Sequence, residues 1–525
     1  MMHWSIPVLA AVLQQAGALL LGSTSECSSA ADGIQFDSYN ASFLNTTYYT
    51  AQNLNVSGIL NNFSFCEVCV AINYAQNAQL VFVLWLPEAQ QYQGRFLAVG
   101  NGGYAGTIDR DNMLKQLNSG MGFAVAGGNA GHDACSETDG NNYGSPGTSI
   151  PFLSHEERTR AWIHDAISLF TPLAKDLTTR YYGRQPRYMY YNGCSTGGAQ
   201  GFALAQYHPE LFDGIFAGAP GNYYDQLTLS FLWNAQALSG DGYLSQEALK
   251  FTTAAVLAAC DELDGVKDGI IENPLNCHFD IESLACDAEM ELFQRDEANE
   301  TTHCLTRAQI TAVKSIYAGA TTVDTGARIY PGYDPGSEAQ WYMMAGGLAN
   351  NYTIPILQNL VYHDLAYDPS NFGWSSADVQ LVNDRAGKLI DEIGTNLTSF
   401  QTRRGKMLTT QGWADEYVSP RWPILHLEEL QNALPADQDI SDFYSLFMVP
   451  GGGHCGSGQY YPQAPGNWHV MAPLINWVER NVKPQSILAS DPSDGSGRTR
   501  RLCPWPATAR YTGGDPDSWD SYVCE

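Results

Sequence analysis

Residues 193–197 read Gly-Cys-Ser-Thr-Gly and fit the G-x-S-x-G pattern of a nucleophile elbow. In such an elbow a serine occupies a tight turn between a strand and a helix. The aromatic run Tyr188–Tyr191 precedes the turn and predicts a buried strand, and residues 198–204 after it predict the start of a helix. The pattern alone is common, and the alternative is a glycine-rich turn whose serine has no catalytic role. The flanking strand and helix favour the elbow, with Ser195 as nucleophile.

Two later segments supply the partners that a serine nucleophile needs. It requires a general base and an acid that orients the base, and in α/β-hydrolases these follow in the order Ser, Asp or Glu, His. Residues 447–456 read Phe-Met-Val-Pro-Gly-Gly-Gly-His-Cys-Gly, a strand pattern running into a glycine-rich loop that carries His454. A short apolar segment ends in a turn that carries Asp415. The order predicts a triad of Ser195, Asp415 and His454, with Glu416 as the alternative acid.

Two cysteines adjoin the predicted nucleophile and base. Cys194 precedes Ser195, and Cys455 follows His454. If the serine and the histidine lie within hydrogen-bond reach, their neighbours are close enough to bridge, since a disulfide requires Cα atoms about 4.4–6.8 Å apart. The sequence therefore predicts a Cys194–Cys455 disulfide that joins the nucleophile loop to the base loop.

A glycine-rich loop is the candidate for the oxyanion hole. Acyl transfer places negative charge on the carbonyl oxygen, which needs preorganised N–H donors. One donor is expected from the backbone of Thr196, and the second from residues 100–104, Gly-Asn-Gly-Gly-Tyr, after an early strand. Gly103 is the favoured second donor, with Gly102 or Tyr104 as alternatives, and a plain turn is the non-catalytic interpretation.

An acidic loop at residues 260–271 predicts a second site. It reads Cys-Asp-Glu-Leu-Asp-Gly-Val-Lys-Asp-Gly-Ile-Ile, with aspartates at 261, 264 and 268. Carboxylates with carbonyls between them suit a hard cation that takes six to eight oxygen ligands. The spacing is not that of an EF-hand, and a solvated acidic turn is the alternative.

The N-terminus and the cysteine content predict secretion. Residues 1–25 contain a broken apolar stretch followed by small residues, which fits a signal peptide despite a weakly basic start. Twelve cysteines agree with an oxidising compartment. Seven N-x-S/T sequons begin at Asn40, Asn45, Asn55, Asn62, Asn299, Asn351 and Asn396.

The charge and the motif content exclude several classes of partner. A net charge of −28 argues against nucleic acid, because phosphates would be repelled. No apolar run after the signal peptide is long enough for a membrane helix. No dinucleotide-binding motif lies between a predicted strand and a predicted helix, so no organic cofactor is expected.

The order of the patterns predicts an α/β-hydrolase fold with a large insertion. Strand and helix patterns alternate up to about residue 220 and resume near residue 401, so we expect a catalytic domain from residues 26–221 and 401–525. Residues 222–400 mix helical segments with acidic loops and predict a lid domain that carries the acidic loop. The basic run 498–501 is expected to be a surface loop, with a protease site as the alternative.

These motifs together resemble the tannase and feruloyl esterase family of secreted fungal enzymes. The resemblance rests on Gly-Cys-Ser-Thr-Gly-Gly, Asp415 and the His454-Cys455 pair, and extends over most of the chain, including residues 65–68, 94–104, 214–220 and 501–506. It implies an α/β-hydrolase fold and the Cys194–Cys455 bridge beside the catalytic residues. Thr196 resembles the feruloyl esterase branch, whereas Ala199 departs from the family, in which an arginine is common after Gly-Gly.

The resemblance also implies a ligand set and a disulfide pattern. The acidic loop looks like the family's structural calcium site, with side chains of Asp261, Asp264 and Asp268 and the carbonyls of Val266 and Ile270 as ligands. With adjacency, the resemblance gives a set of expected disulfides: Cys194–Cys455, Cys260–Cys277, Cys286–Cys304 and Cys503–Cys524. For the four remaining cysteines we favour Cys27–Cys66 and Cys69–Cys135.

The implied function is ester hydrolysis through an acyl-enzyme. The expected substrates are small aromatic esters or feruloylated polysaccharide, as for a feruloyl esterase that releases ferulic acid from plant cell walls. A tannase, which hydrolyses gallate esters, is the alternative enzyme. An inactive binding protein with a hydrolase fold is the alternative of another class, but such chains usually lose a triad member.

Overall fold

The computed structural model describes residues 24–132, 150–287, 304–391 and 393–525. Three sequence predictions fall on residues outside these ranges. They are most of the signal peptide, Cys135 as the partner of Cys69, and the sequon at Asn299.

A nine-stranded sheet forms the centre of the fold. In chain order its strands are β1 (Ala41–Tyr49), β2 (Phe65–Ala75), β3 (Ala78–Pro87), β4 (Arg95–Val99), β5 (Phe123–Gly128), β6 (Tyr188–Cys194), β7 (Gly214–Gly218), β8 (Lys406–Gly412) and β9 (Tyr444–Val449). They lie side by side in the order β1-β2-β3-β5-β4-β6-β7-β8-β9. The pairs β1-β2, β2-β3 and β3-β5 are antiparallel and the others are parallel.

The parallel part of the sheet explains how distant motifs meet. Because β6, β8 and β9 run in the same direction, their carboxyl ends lie at one edge of the sheet, where open α/β sheets place their sites. Ser195 follows β6, Asp415 follows β8 and His454 follows β9. The topology therefore brings the three predicted residues to the same edge.

Helices flank the sheet and fill the segment between β7 and β8. In the described ranges the helices of eight or more residues are α1 (Arg110–Asn118), α2 (Ala166–Tyr182), α3 (Thr196–Tyr207), α4 (Tyr224–Ala237), α5 (Gln246–Cys260), α6 (Arg307–Ala318), α7 (Arg421–Ala433) and α8 (Met471–Arg480). Shorter helices span Glu156–Arg160, Ile354–Ile356, Ser376–Val382, Lys388–Ile390 and Thr398–Thr402. Single π-helical turns span Ala161–Asp165, Ala349–Thr353, Leu357–Val361 and Asn383–Gly387.

The insertion packs directly onto the catalytic part of the chain. The chain leaves the sheet after Gly218 and returns at Lys406, so the predicted insertion, residues 222–400, lies within this excursion. It contains α4, α5, α6 and a hairpin of Gly319–Thr321 with Arg328–Pro331. Buried side chains such as Phe202 from α3 and Leu227 from α4 belong to one continuous hydrophobic cluster. The insertion therefore shares its core with the helix that follows Ser195.

Small strand pairs complete the C-terminal part and correct one expectation. Pro465–Trp468, Ile487–Pro492 and Arg500–Leu502 form a three-stranded sheet, and Ala509–Tyr511 pairs with Tyr522–Cys524. The expectation that residues 498–501 form a surface loop is wrong for Arg500. This residue lies in a strand, and its side chain is 1% exposed because it pairs with carboxylates of the acidic loop.

Two further hairpins lie near the active-site edge, Asn55–Val56 with Ile59–Leu60 and Gly452–Gly453 with Gly456–Ser457. In the described part of the chain, every helix is too short or too polar to cross a membrane.

Candidate active site

Ser195 occupies a strained turn between β6 and α3. Its backbone has φ 64° and ψ −124°, a combination that non-glycine residues rarely adopt and that persists at functional sites when the surroundings fix it. Its N–H donates to the Gly218 carbonyl at 3.0 Å, which ties the turn to β7. A methyl group on Gly197 would lie 2.9 Å from the Asn101 carbonyl oxygen, so only glycine permits this approach. The structure thus forms the elbow geometry that the sequence predicts.

Asp415 and His454 are joined by a direct hydrogen bond. His454 Nδ1 lies 3.0 Å from Oδ1 and 2.9 Å from Oδ2 of Asp415. The Asp415 carboxylate is fully buried and also accepts the N–H groups of Tyr417 at 2.8 Å and Val418 at 3.0 Å. Its Oδ2 accepts Gln411 Nε2 at 2.9 Å. Asp415 therefore holds the His454 ring, whereas the alternative acid Glu416 makes no hydrogen bond to that ring among the described residues.

The electrostatics of His454 favour its imidazolium form. Burial lowers the pKa of His454, but the charge of Asp415, the hydrogen bond between them and the charge of Glu416 together raise it above its ordinary value. Burial and the adjacent Asp415 charge raise the pKa of Glu416 to about 7. The Tyr417 ring stacks on the imidazole, with centroids 4.5 Å apart. These surroundings suit the role predicted for His454, because a general base becomes positively charged during catalysis.

A disulfide links the loop of Ser195 to the loop of His454. Cys194 and Cys455 are bonded with Cα atoms 6.0 Å apart. The structure also forms four other bridges from the expected set: Cys27–Cys66, Cys260–Cys277, Cys286–Cys304 and Cys503–Cys524. Cys69 forms no disulfide within the described residues, and Cys135, its expected partner, lies outside them.

One predicted oxyanion donor, Thr196, is the first residue of α3, and the other, Gly103, lies in a fixed loop after β4. In the described parts of the chain the N–H groups of Thr196 and Gly103 donate no hydrogen bond, so both are available to a substrate. The Gly103 carbonyl accepts Trp162 Nε1 at 2.8 Å. The Asn101 N–H donates to Gln200 Oε1 at 3.0 Å. Hydrogen bonds from α3 and from the π-helical turn that contains Trp162 therefore hold the loop in place.

Gln200 and Trp162 hold the predicted oxyanion loop and were missed by sequence reasoning, whereas Asn101 belongs to the loop that the sequence predicted. Gln200 on α3 also donates to the Trp162 carbonyl at 2.7 Å and to Asn101 Oδ1 at 3.2 Å. Asn101 Nδ2 donates to the Gly128 carbonyl at 2.8 Å, which anchors the loop to β5. Gln200 lies five positions after Ser195, on the first turns of the elbow helix, and this position is the only sequence signal for its role.

One large cleft is lined by the predicted nucleophile and the predicted base, and Asp415 is buried behind His454. Its volume is about 1190 Å³, and Ser195, His454, Gly103 and Glu416 all lie on its wall. Tyr352 from the insertion faces the same space. A cleft of this size accommodates an aromatic acyl group together with part of an alcohol.

In the acidic loop two of the three aspartates pair with arginine, and the third accepts backbone N–H groups. The Asp261 carboxylate accepts N–H groups of Gly269 at 3.0 Å and Ile270 at 3.3 Å. Asp268 Oδ2 lies 2.6 Å from Arg500 Nη1. Asp264 Oδ2 lies 3.3 Å from Arg500 Nη2. Burial raises the pKa of both Asp264 and Asp268, in spite of the arginine charge.

The loop matches calcium in donor type but not in the present orientation of its side chains. Carboxylates and the carbonyls of Val266 and Ile270 are the oxygen donors that a hard cation takes. Within the described ranges, however, no three His, Cys, Asp or Glu side chains are grouped so as to hold a metal ion. The Asp261 carboxylate is turned to the backbone, and Asp264 and Asp268 are turned to Arg500.

Comparisons with known proteins identify the family and the fold of the chain. "Probable feruloyl esterase B" of Aspergillus clavatus is 30% identical over 479 residues, which cover 87% of this chain and 86% of that protein. The crystal structure of feruloyl esterase B from Aspergillus oryzae superposes with a TM-score of 0.82 at 27% identity, covering 95% of this chain and 99% of that one. Tannin acyl hydrolase from Aspergillus niger has the same fold, with a TM-score of 0.76 at 21% identity over 95% of this chain and 94% of that one. These matches support the predicted α/β-hydrolase fold. The sequence model described as "Tannase and feruloyl esterase" matches residues 66–525, and the chain therefore belongs to this family of carboxylic ester hydrolases.

Proposed function

We propose that this protein hydrolyses hydroxycinnamate esters through an acyl-enzyme, with Ser195, His454 and Asp415 as its catalytic triad. The observation that carries the proposal is the shared cleft. A serine on a strained elbow and a histidine held by a buried aspartate line the same space, and a disulfide joins their loops. The names of the relatives at 30% identity support feruloyl esters as substrates.

The chemistry proceeds in two halves with the same residues. His454 removes the proton from Ser195 Oγ, which attacks the ester carbonyl carbon. The N–H groups of Thr196 and Gly103 bind the oxyanion, and removal of one such donor typically costs about 10²–10³-fold in kcat. His454 then protonates the leaving alcohol, and water attacks the acyl-enzyme to release the aromatic acid. Asp415 stabilises the imidazolium in both halves.

Two model esters distinguish the candidate functions. We expect purified protein to hydrolyse methyl ferulate with a larger kcat/KM than methyl gallate. Faster hydrolysis of methyl gallate would support a tannase instead. Turnover of neither ester would support the inactive binding protein and overturn the proposal.

The disulfide beside the triad is expected to matter for turnover as well as for stability. Replacing Cys194 and Cys455 together by alanine frees two loops whose separation fixes the approach of Ser195 to His454. A displacement near 1 Å can cost about 10²-fold in rate. We expect a loss of this order in kcat, measured below the melting temperature of the variant.

The matched control is the Cys286–Cys304 bridge. It closes a sequence separation of 18 residues in the insertion and is not part of the cleft wall. Its double alanine variant should lose stability but keep its turnover. Full turnover in a folded Cys194→Ala, Cys455→Ala variant would contradict a role in positioning.

We also propose that the acidic loop binds a structural calcium ion. Around Arg500, the carboxylates of Asp264, Asp268 and Glu272 converge on one guanidinium group, with Asp261 beside them. Arg498 neutralises the charge of these carboxylates only in part, because it also pairs with Asp517. This excess of negative charge supports a divalent cation, which the carboxylates would reach by turning from their present partners.

Calcium removal is therefore expected to lower the melting temperature. A bound ion stabilises the folded state by about 2.7 kcal/mol at a free concentration one hundred times its Kd. Asp268→Asn should abolish the increase in melting temperature on calcium addition. Glu262→Gln is the matched control, because Glu262 is an exposed member of the same loop and pairs only with Lys267 among the described residues. An unchanged melting curve after complete calcium removal would contradict the site.

We further propose that the protein is secreted and glycosylated. Five disulfides in the described part of the chain support an oxidising compartment. The sequon asparagines at positions 40, 45, 55, 62 and 396 are exposed, and Asn351 is partly exposed. A mass decrease after treatment with an N-glycosidase, on protein collected from a fungal culture medium, would test both statements.

A further inference from the structure

Tyr352 is an aromatic residue of the insertion whose ring is held against the active site. It lies in the π-helical turn Ala349–Thr353. Its ring centroid is 5.5 Å from that of Tyr104, 5.9 Å from Phe231 and 6.3 Å from Tyr417. Its backbone carbonyl accepts the Tyr104 hydroxyl at 2.7 Å. Ring and backbone are thus fixed by neighbours on both the insertion and the catalytic part.

The Tyr352 hydroxyl lies beside residues 100–104, the loop that is predicted to supply an oxyanion donor. A methyl group placed on Gly103 would lie 3.2 Å from the Tyr352 hydroxyl oxygen, so the phenol directly covers this glycine. Tyr352 lines the cleft together with Ser195 and His454. Tyr417, whose ring contacts Tyr352, is the residue that stacks on the His454 imidazole. The hydroxyl therefore lies in the cleft wall next to Gly103, the predicted second oxyanion donor.

This hydroxyl is a donor with no protein partner in the described ranges. No hydrogen bond joins it to any described residue, and the partly exposed Tyr352 side chain opens onto the cleft. Burial raises the pKa of Tyr352, so the phenol keeps its proton through the neutral range. By contrast, the Tyr104 hydroxyl donates to a backbone carbonyl. The Tyr352 hydroxyl is therefore protonated, held in place and without a protein partner among the described residues. It is a candidate hydrogen-bond donor to the substrate.

We propose that Tyr352 donates a hydrogen bond to the ester carbonyl oxygen in the transition state, as a third oxyanion donor supplied by the insertion. The inference rests on the proposed acyl-enzyme mechanism. As Ser195 Oγ bonds to the carbonyl carbon, the carbonyl electron pair moves onto oxygen. The phenol then donates to that oxygen together with the N–H groups of Thr196 and Gly103. Tyr352 keeps its proton throughout, and the charge returns to the carbonyl when the alcohol leaves.

Tyr352→Phe tests this role, because it removes the hydroxyl and retains the ring packing. We expect kcat for methyl ferulate to fall by about 10²-fold with little change in KM, as for loss of one oxyanion donor. Affinity for phenylboronic acid should fall by a similar factor, because its tetrahedral adduct on Ser195 places an oxygen at the oxyanion position. Inhibition by ferulate, a planar product, should not change.

The matched control is Tyr367→Phe, another tyrosine of the insertion. Its ring stacks on Tyr362 with centroids 3.8 Å apart, and it is not part of the cleft wall. It should keep wild-type kcat and boronate affinity. The melting temperature of both variants should match that of the wild type, which separates a chemical effect from a folding effect.

The remaining outcomes overturn the inference in distinguishable ways. Wild-type turnover in Tyr352→Phe would remove the hydroxyl from catalysis and leave the proposed function intact. Equal losses of boronate and ferulate affinity would assign the hydroxyl to binding of the substrate in its ground state instead. If the wild-type protein hydrolyses no aromatic ester, the proposed function fails, and the third donor fails with it.

Discussion

Replacing Ser195 with alanine is expected to lower kcat for methyl ferulate by roughly 10⁴–10⁶-fold, because the chain then lacks the atom that forms the acyl-enzyme. The elbow turn should survive, since its backbone is tied to β7 through the Ser195 N–H and the Gly218 carbonyl rather than through the hydroxyl. We therefore expect an unchanged circular dichroism spectrum and melting temperature. The measurement is turnover under saturating substrate, with a single-turnover assay for the acyl-enzyme by mass spectrometry.

A serine outside the cleft provides the control for this prediction. Ser239 is exposed at the end of α4, where its hydroxyl donates to the Gln236 carbonyl at 2.7 Å. Ser239→Ala should keep wild-type kcat. Turnover near the wild-type level in Ser195→Ala would instead assign the nucleophile to another residue, and the elbow would then be only a structural turn.

The order of elements could be predicted from the sequence because each depends on local pattern. Aromatic and aliphatic runs followed by glycine mark β6 and β9, and the glycines around residue 195 mark a turn where backbone segments approach closely. Since parallel strands end at one edge of the sheet, chain order alone was enough to bring Ser195, Asp415 and His454 together. The pairing of Cys194 with Cys455 followed from the same logic.

The contacts that depend on tertiary packing could not be predicted in this way. The sequence places Gln200 on the first turns of α3 but does not indicate that it contacts the loop of residues 100–104, or that Trp162 fixes the Gly103 carbonyl. Arg500 looked like part of an exposed basic run, yet carboxylates more than two hundred residues earlier in the chain neutralise it in the interior. Charge in a local window gives no information on such distant partners.

The acid of the triad was the one catalytic position with two candidates, and the structure gives a physical reason to choose between them. Asp415→Asn is expected to lower kcat by about 10⁴-fold through the wrong histidine tautomer. An asparagine NH₂ in place of Oδ1 would face the N–H groups of Tyr417 and Val418. In place of Oδ2 it would face His454 Nδ1 and the Gln411 amide.

The second orientation is the less costly one, because Gln411 can turn its unpartnered Oε1 to the new donor. His454 Nδ1 must then accept a hydrogen bond instead of donating one. Its other nitrogen, Nε2, then carries hydrogen and cannot take the proton of Ser195. The prediction is a large fall in kcat with an intact fold, measured across the pH range in which the wild type is active.

Glu416→Gln distinguishes the two acids by a different signature. Glu416 lines the cleft, its Oε2 has no partner in the described part of the chain, and its charge contributes to the raised pKa of His454. Removing that charge destabilises the imidazolium, so the pKa of His454 falls. The base is then neutral at lower pH, and the acid limb of kcat/KM should move to lower pH while kcat on the plateau changes by less than about tenfold. If Glu416→Gln is inactive and Asp415→Asn is active, Glu416 is the acid of the triad and the geometry around Asp415 serves only to fix the loop.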